Sequence, residues 1–182
     1  MNPAPKLSPQ AAAAANADQR HAGKTLAIDY GRARIGLALA DSRQGVAQPL
    51  GTLKRINRNE DMRRLRELAH NYGVQQIVVG LPLRLDGTRG EMAEQTQRFA
   101  QRVRKQIGVP VEMVDERLTS WEAERVMEEE FGRKAKQLTG AAKKKEASRI
   151  TVDSVAATII LREFLQRAAS VESGAKPEDT LT

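Results

Sequence analysis

TLAIDYGRARIGLALAD, residues 25–41, decides the fold: two short apolar runs meet at a tight turn around Gly31, the pattern of an antiparallel β-hairpin. The first run ends in an acid, Asp29, followed by Tyr30-Gly31. By itself an acid at that position caps a turn through its side chain. A further extended piece, GVAQPLGTLKR (45–55), follows the hairpin and completes a three-strand meander.

Working outward, residues 59–72 place Met62, Leu65, Leu68, Ala69 and Tyr72 at helical spacing, with Gly73 as the stop. VQQIVVG (74–80) is a buried strand. Thr88 and Glu91 form a capping box opening a helix with Met92, Phe99, Val103 and Ile107 on one face. VPVEMVDE (109–116) is another strand, and Thr119 with Glu122 a second capping box, before a helix running to about Phe131. A basic stretch leads to a last helix carrying Val152, Val155, Ala156, Ile159, Ile160 and Phe164. The order βββ-α-β-α-β-α-α describes an α/β protein: an RNase H-like three-layer sandwich with a mixed five-stranded sheet.

Length and composition bound the rest. The 182 residues suit one domain, expected over 24–168, flanked by a disordered arm (1–23) and a disordered tail (169–182). With no cysteine there is no disulfide scaffold, thiolate zinc site or cysteine nucleophile. No apolar run reaches the ~18 residues of a membrane span, and no basic-then-apolar secretory leader is visible, so a cytoplasmic protein is expected. The formal charge is +7; residues 1–24 and 169–182 offset one another, so the excess belongs to the central region. Such a surface suits a polyanion, nucleic acid above all. A basic surface serving only solubility is the plainer alternative.

Three acids stand out. Asp29 and Glu116 each close an apolar strand, where ligands gather beside parallel sheets. An ion pair of Glu116 with Arg117 is an ordinary alternative. Asp153 interrupts the apolar face of the last helix; as a plain structural feature it is a first-turn acid favoured by the helix dipole. Asp115 is the rival of Glu116, but strand alternation puts Glu112, Val114 and Glu116 on one face, opposite Val111 and Met113. Brought together, three carboxylates repel and need positive charge. Hard divalent cations with oxygen ligands supply it, Mg²⁺ or Mn²⁺ first among them. Two such ions ~3.5–4 Å apart can activate water and stabilise the leaving oxygen of a phosphodiester. No general-base histidine is then needed, and the only histidines are His21 and His70.

Four strings, IDYGRARIGLALAD, VVGLPLRLDGTRG, VDERLTSWEAERVM and VDSVAATIILREFL, in this order over about residues 25–167, closely resemble the bacterial YqgF-type proteins. These are relatives of the RuvC Holliday-junction resolvases and are regarded as pre-16S ribosomal RNA nucleases. The resemblance implies that Asp29, Glu116 and Asp153 are the acidic, metal-holding catalytic positions. It also matches Arg34, with Ile35 and Gly36, to the hairpin motif, and LPLRLDGT to the loop before a helix. Arg84 stands where family members often have Asn.

Nucleic-acid contacts are expected at Arg34 and Arg117 and in the stretch 133–149, through Lys143, Lys144, Lys145 and Arg149, gripping backbone and not bases. A charge run is otherwise a solvated face. Aromatics make up only 3%, so a multi-base stacking platform is not expected. Trp121 reads as a core residue. The functional expectation is a metal-dependent endonuclease processing precursor 16S rRNA, with the ribosomal subunit a possible partner and a monomer or weak dimer the assembly. Three alternatives compete: a non-cleaving RNA-binding, transcription or ribosome-maturation factor; a Holliday-junction resolvase; and, ranked below both, an actin-like ATPase, which needs a second domain this length does not hold.

Overall fold

The computed structural model describes residues 23–41, 45–118, 129, 133 and 150–172. Alternating side chains build strands β1 (Lys24–Tyr30), β2 (Arg34–Asp41) and β3 (Val46–Lys54), which form the expected meander. Gly31 N–H donates to the carbonyl of Arg34 at 2.9 Å and closes the first turn. Helix α1 (Arg58–Tyr72) opens on Asn57, whose side chain accepts from the N–H groups of Asn59 and Glu60. It stops at Gly73, in the left-handed region at φ 65°. Strand β4 (Val74–Leu81), helix α2 (Glu91–Ile107), strand β5 (Val111–Asp115) and a short 3₁₀ turn (Glu116–Leu118) follow. The last described element is helix α3 (Val152–Glu172), which continues past residue 168, the limit expected for the domain.

The sheet order is β3-β2-β1-β4-β5. The β1–β2 and β2–β3 pairs are antiparallel, whereas β1–β4 and β4–β5 are parallel. This is the mixed five-stranded sheet read from the sequence. β3 lies at the edge, where Pro49 needs no ladder partner for its missing N–H.

Period-2 alternation gives the sheet two unlike faces. Leu26, Ile28, Ile35, Leu37, Ile77 and Val79 point one way, into a cluster with Met62 and Leu65 of α1 and Phe99 and Val103 of α2. Ala27, Ala38, Ala40, Ala47, Val78 and Val114 point the other way, under Ala157, Ile160, Leu161 and Phe164 of α3. Arg55 fastens the hairpin to α1. Its Nε donates to the buried Asp61 at 3.0 Å, its Nη1 reaches Tyr30 and the Gly31 carbonyl, and its guanidinium lies 4.6 Å over the Tyr30 ring.

The capping box expected at Thr88 does not form. Thr88 gives both its N–H and its hydroxyl to Asp86, at 2.8 and 2.6 Å, in a turn of the β4–α2 loop. α2 therefore starts from Gly90, with no side-chain cap. A short-range acceptor two residues back outcompeted the helix. The Thr119 capping box, Trp121, Lys143, Lys144, Lys145 and Arg149 lie outside the described residues. Of the basic stretch only Arg133 is described, and it is helical.

Candidate active site

The site is built across the strand register. Gly36 of β2 pairs with Asp29 of β1 on one side and with Thr52 of β3 on the other. Across β1, Ile28 pairs with Val79, so the next residue of β4, Gly80, lies alongside Asp29. Thr52, Gly36, Asp29 and Gly80 thus form one row on the α3 face, in steps of about 4.8 Å.

The two glycines in that row leave room for the other two acids. A Cβ at residue 36 would collide with the backbone carbonyl of Asp153 and come within 3.0 Å of its Cβ. A Cβ at residue 80 would strike the Glu116 carboxylate and Ile160 Cδ1. Asp153 therefore overlies one neighbour of Asp29, and the Glu116 side chain occupies the space over the other. Here lack of a side chain, not backbone freedom, is what requires glycine.

The start of α3 is fixed from both sides. Thr151 and Ser154 cap it reciprocally: Ser154 N–H donates to Thr151 Oγ1 at 3.1 Å, and Thr151 N–H donates to Ser154 Oγ at 2.8 Å. Thr52 Oγ1 hydrogen-bonds the Thr151 hydroxyl and lies 3.5 Å from Asp153 Oδ2. Sequence reading missed all three residues. The Thr151-x-x-Ser154 pattern before an apolar helix was a visible signal; Thr52 left none, because its place depends on the β2–β3 register.

Electrostatics mark the row as strained. Burial, and then the like charge of Asp153, push the Asp29 carboxyl up to about 6 from an ordinary 3.8. Asp153 is itself met by Arg34, whose Nε lies 2.8 Å from Oδ2. The Arg34 side chain is 64% exposed and that of Asp153 24%, so the cation lies at the mouth of the site and the acid inside.

Arg117 does not pair with Glu116, as an ordinary ion-pair reading would have it. It takes Asp115 through Nε at 3.1 Å and Nη2 at 2.7 Å, holding that carboxyl below its usual range. Its Nη1 reaches the Leu85 carbonyl at 3.5 Å, tying β5 to the β4–α2 loop. Asp115 thus has a cation partner, and Arg117, expected at nucleic acid, links that carboxylate to the Leu85 carbonyl.

An all-oxygen, all-anionic donor set on a partly buried surface fits a hard divalent cation, which would relieve the repulsion that raises Asp29. As folded, no three His, Cys, Asp or Glu side chains among the described residues are disposed to grip an ion together. Asp153 faces Arg34 instead.

Comparison with known proteins agrees with this fold. Its likeness to T. thermophilus RuvC, solved in complex with a Holliday junction substrate, has a TM-score of 0.51 at 16% identity, covering 83% of this chain and 96% of that one. A protein of Anaeromyxobacter sp. (strain K) named "Putative pre-16S rRNA nuclease" is 41% identical over 146 residues, 80% of this chain and 98% of its own. One of the same name from Koribacter versatilis (strain Ellin345) is 42% identical over 145 residues, 80% of this chain and 88% of its own. The profile of the RuvX family, described as Holliday junction resolvase, matches residues 23–167. With both the sheet order and this match in hand, the chain belongs to the RuvX family.

Proposed function

We propose that this protein is a metal-dependent endonuclease that hydrolyses phosphodiester bonds in precursor 16S ribosomal RNA, in the cytoplasm. The observation that carries the reading is the row on the α3 face: Asp29 raised to about 6, with Asp153 over Gly36 on one side and Glu116 over Gly80 on the other. The RNA substrate rests on the names of the similar proteins from Anaeromyxobacter and Koribacter.

Asp29, Glu116 and Asp153 would hold Mg²⁺ or Mn²⁺, with two ions the natural complement for three acids. Bound there, the metal activates water and stabilises charge on the leaving oxygen. The chain's own residues do the rest. Asp29 is half-buried in the row beneath the start of α3, where its carboxyl is partly shielded from bulk water. The α3 cap of Thr151 and Ser154, with Thr52 beside it, fixes the backbone of Asp153 against β2. Arg34, exposed at the mouth of the site beside Asp153, would meet a phosphate oxygen there, which suits a guanidinium. Lys143, Lys144, Lys145 and Arg149 would hold RNA backbone further along, with affinity that falls as salt rises.

The test incubates the full chain with labelled precursor 16S RNA and with a four-way DNA junction, in Mn²⁺ or EDTA, beside Asp29→Asn. The proposal expects cutting of the RNA that needs Mn²⁺ and falls at least about a thousandfold in the variant. Cutting confined to the junction would favour the resolvase reading, which the family's description supports. RNA binding with no cutting in any condition would leave a non-cleaving maturation factor. Cutting that survives EDTA and the substitution together would overturn the site.

A further inference from the structure

On the sheet face opposite the carboxylates, α2 and the edge of β5 form a half-open groove of about 320 Å³. It is lined by Arg89, Gln97, Ala100, Gln101, Arg104 and Met113. Gln97, Ala100, Gln101 and Arg104 recur at the i, i+3, i+4, i+7 spacing of one helical stripe. On a helix lying beside a strand, such a stripe is ordinarily apolar. Here only Ala100 and Met113 are apolar, and Met113 packs against the α1/α2 cluster. The floor is apolar; the walls are two guanidinium groups and two amides.

No carboxylate lines this groove, and its two arginines, like Arg58, Arg66, Arg84 and Arg102, have no acid partner among the described residues. Arg34, Arg55, Arg63, Arg64, Arg98, Arg117 and Arg167 each meet an acid. The acids of α2 itself are engaged elsewhere, Glu91 with Arg32 and Glu94 with Arg98. Arg104 has the Val111 carbonyl as a partner, which orients its fork and leaves other N–H groups to the groove. Among the described residues neither Arg89 nor Arg104 is paired with an acid. Both are exposed at the rim of the groove, where their free N–H groups are open to an anion from solvent.

We infer that this groove binds a nucleoside phosphate, its phosphate on Arg89 and Arg104 and its base over Ala100 and Met113 with an edge toward Gln97 and Gln101. The volume sits at the small end of ligand sites, about 300–1,000 Å³, the size of one nucleotide and not of a helix. Arginine forks suit phosphate oxygens, and glutamine amides offer paired donor and acceptor atoms to a base edge. The ligand is either a free nucleotide or one nucleotide of a single-stranded RNA passing the β5 edge. This site does not depend on the cutting reaction.

The experiment uses the full chain in EDTA, so that no RNA is cut. AMP binding is followed by calorimetry, and a fluorescein-labelled single-stranded oligoribonucleotide by anisotropy. Arg89→Ala and Gln101→Ala are compared with wild type, after thermal melts verify that they fold. Arg89→Ala is expected to weaken binding about tenfold, and Gln101→Ala several-fold. Loss for AMP alone identifies a free nucleotide, loss for the oligonucleotide alone an RNA strand, and loss for both the shared chemistry; each supports the site. No AMP binding at millimolar concentration, together with an unchanged oligonucleotide affinity in both variants, overturns it. Asp29→Asn, added as a control, separates this site from the proposed cutting reaction, since it should lose Mn²⁺-dependent cutting and keep AMP binding.

Discussion

The two faces of the sheet are made of the same strands yet do opposite work. Toward α1 and α2 the residues are Leu, Ile and Val, which bury large areas and hold the helices at a distance set by their bulk. Toward α3 they are mostly Ala, with Gly36 and Gly80 at the site, and α3 comes down until its first turn touches the backbone of β2. The first face stabilises the fold. The second gives up apolar area and gains proximity: only over small residues can a helix-borne acid reach a strand-borne one. Acids differ between the faces too. Asp61, on α1, is buried but satisfied by Arg55 and by the N–H of Ile56; Asp29, beneath α3, is half-buried and repelled by Asp153.

The sharpest way to break this contrast is one substitution made in both places. Asp29→Asn should abolish cutting yet stabilise the metal-free protein at neutral pH. The folded state holds the Asp29 proton more tightly than the unfolded chain, so stability falls as pH rises from about 4 to about 6. The gain in the variant is therefore absent below pH 4 and complete above pH 6, on the order of 2–3 kcal/mol. Asp61→Asn should move the other way, costing about 3 kcal/mol by leaving Arg55 without its charge partner. Urea melts of both variants at pH 4 and pH 7 measure the signs. Equal signs would end the distinction.

Next in size is the packing itself. Gly36→Ala should cost about 1–3 kcal/mol and slow cutting roughly a hundredfold by pushing Asp153 from its place. Its neighbour on the other face, Leu37→Ala, should cost about 2–5 kcal/mol while the molecules that remain folded cut normally. Melts and single-turnover cutting, side by side, separate stability from placement.

A smaller effect concerns protons. An ion binds only the ionised Asp29, so Mn²⁺ affinity, read by calorimetry without RNA, should fall about tenfold per pH unit below about 6 and level off above it. A flat profile would remove Asp29 from the ligand set. Smallest is Thr151→Ala, which takes the cap from α3 and should cost about 1 kcal/mol in a thermal melt, with a modest loss of cutting.

Much of this was legible in the residues because the signals are local. The hairpin at Gly31 and the helix closed by Gly73 follow from period-2 and period-3.6 patterns or from turn chemistry. Where two local signals compete, the reading fails. Thr88 had an acceptor in Asp86, and the turn won over the cap. Arg34 and Arg117, read as nucleic-acid contacts from charge and motif, each meet a carboxylate in the folded chain, a pairing the sequence does not reveal because reach is not a sequence property.

From its sequence alone this protein had the order of its described strands and helices and the three acids at their ends, since backbone periodicity and turn residues act over a few neighbours. Only the tertiary structure decided that Thr52, Gly36, Asp29 and Gly80 share a row, that Asp153 lies over one glycine and Glu116 over the other, and that Arg34 holds Asp153 while Arg117 holds Asp115. Those facts depend on strand register and on how closely a helix can settle over alanine and glycine, both set by packing between residues far apart in the chain.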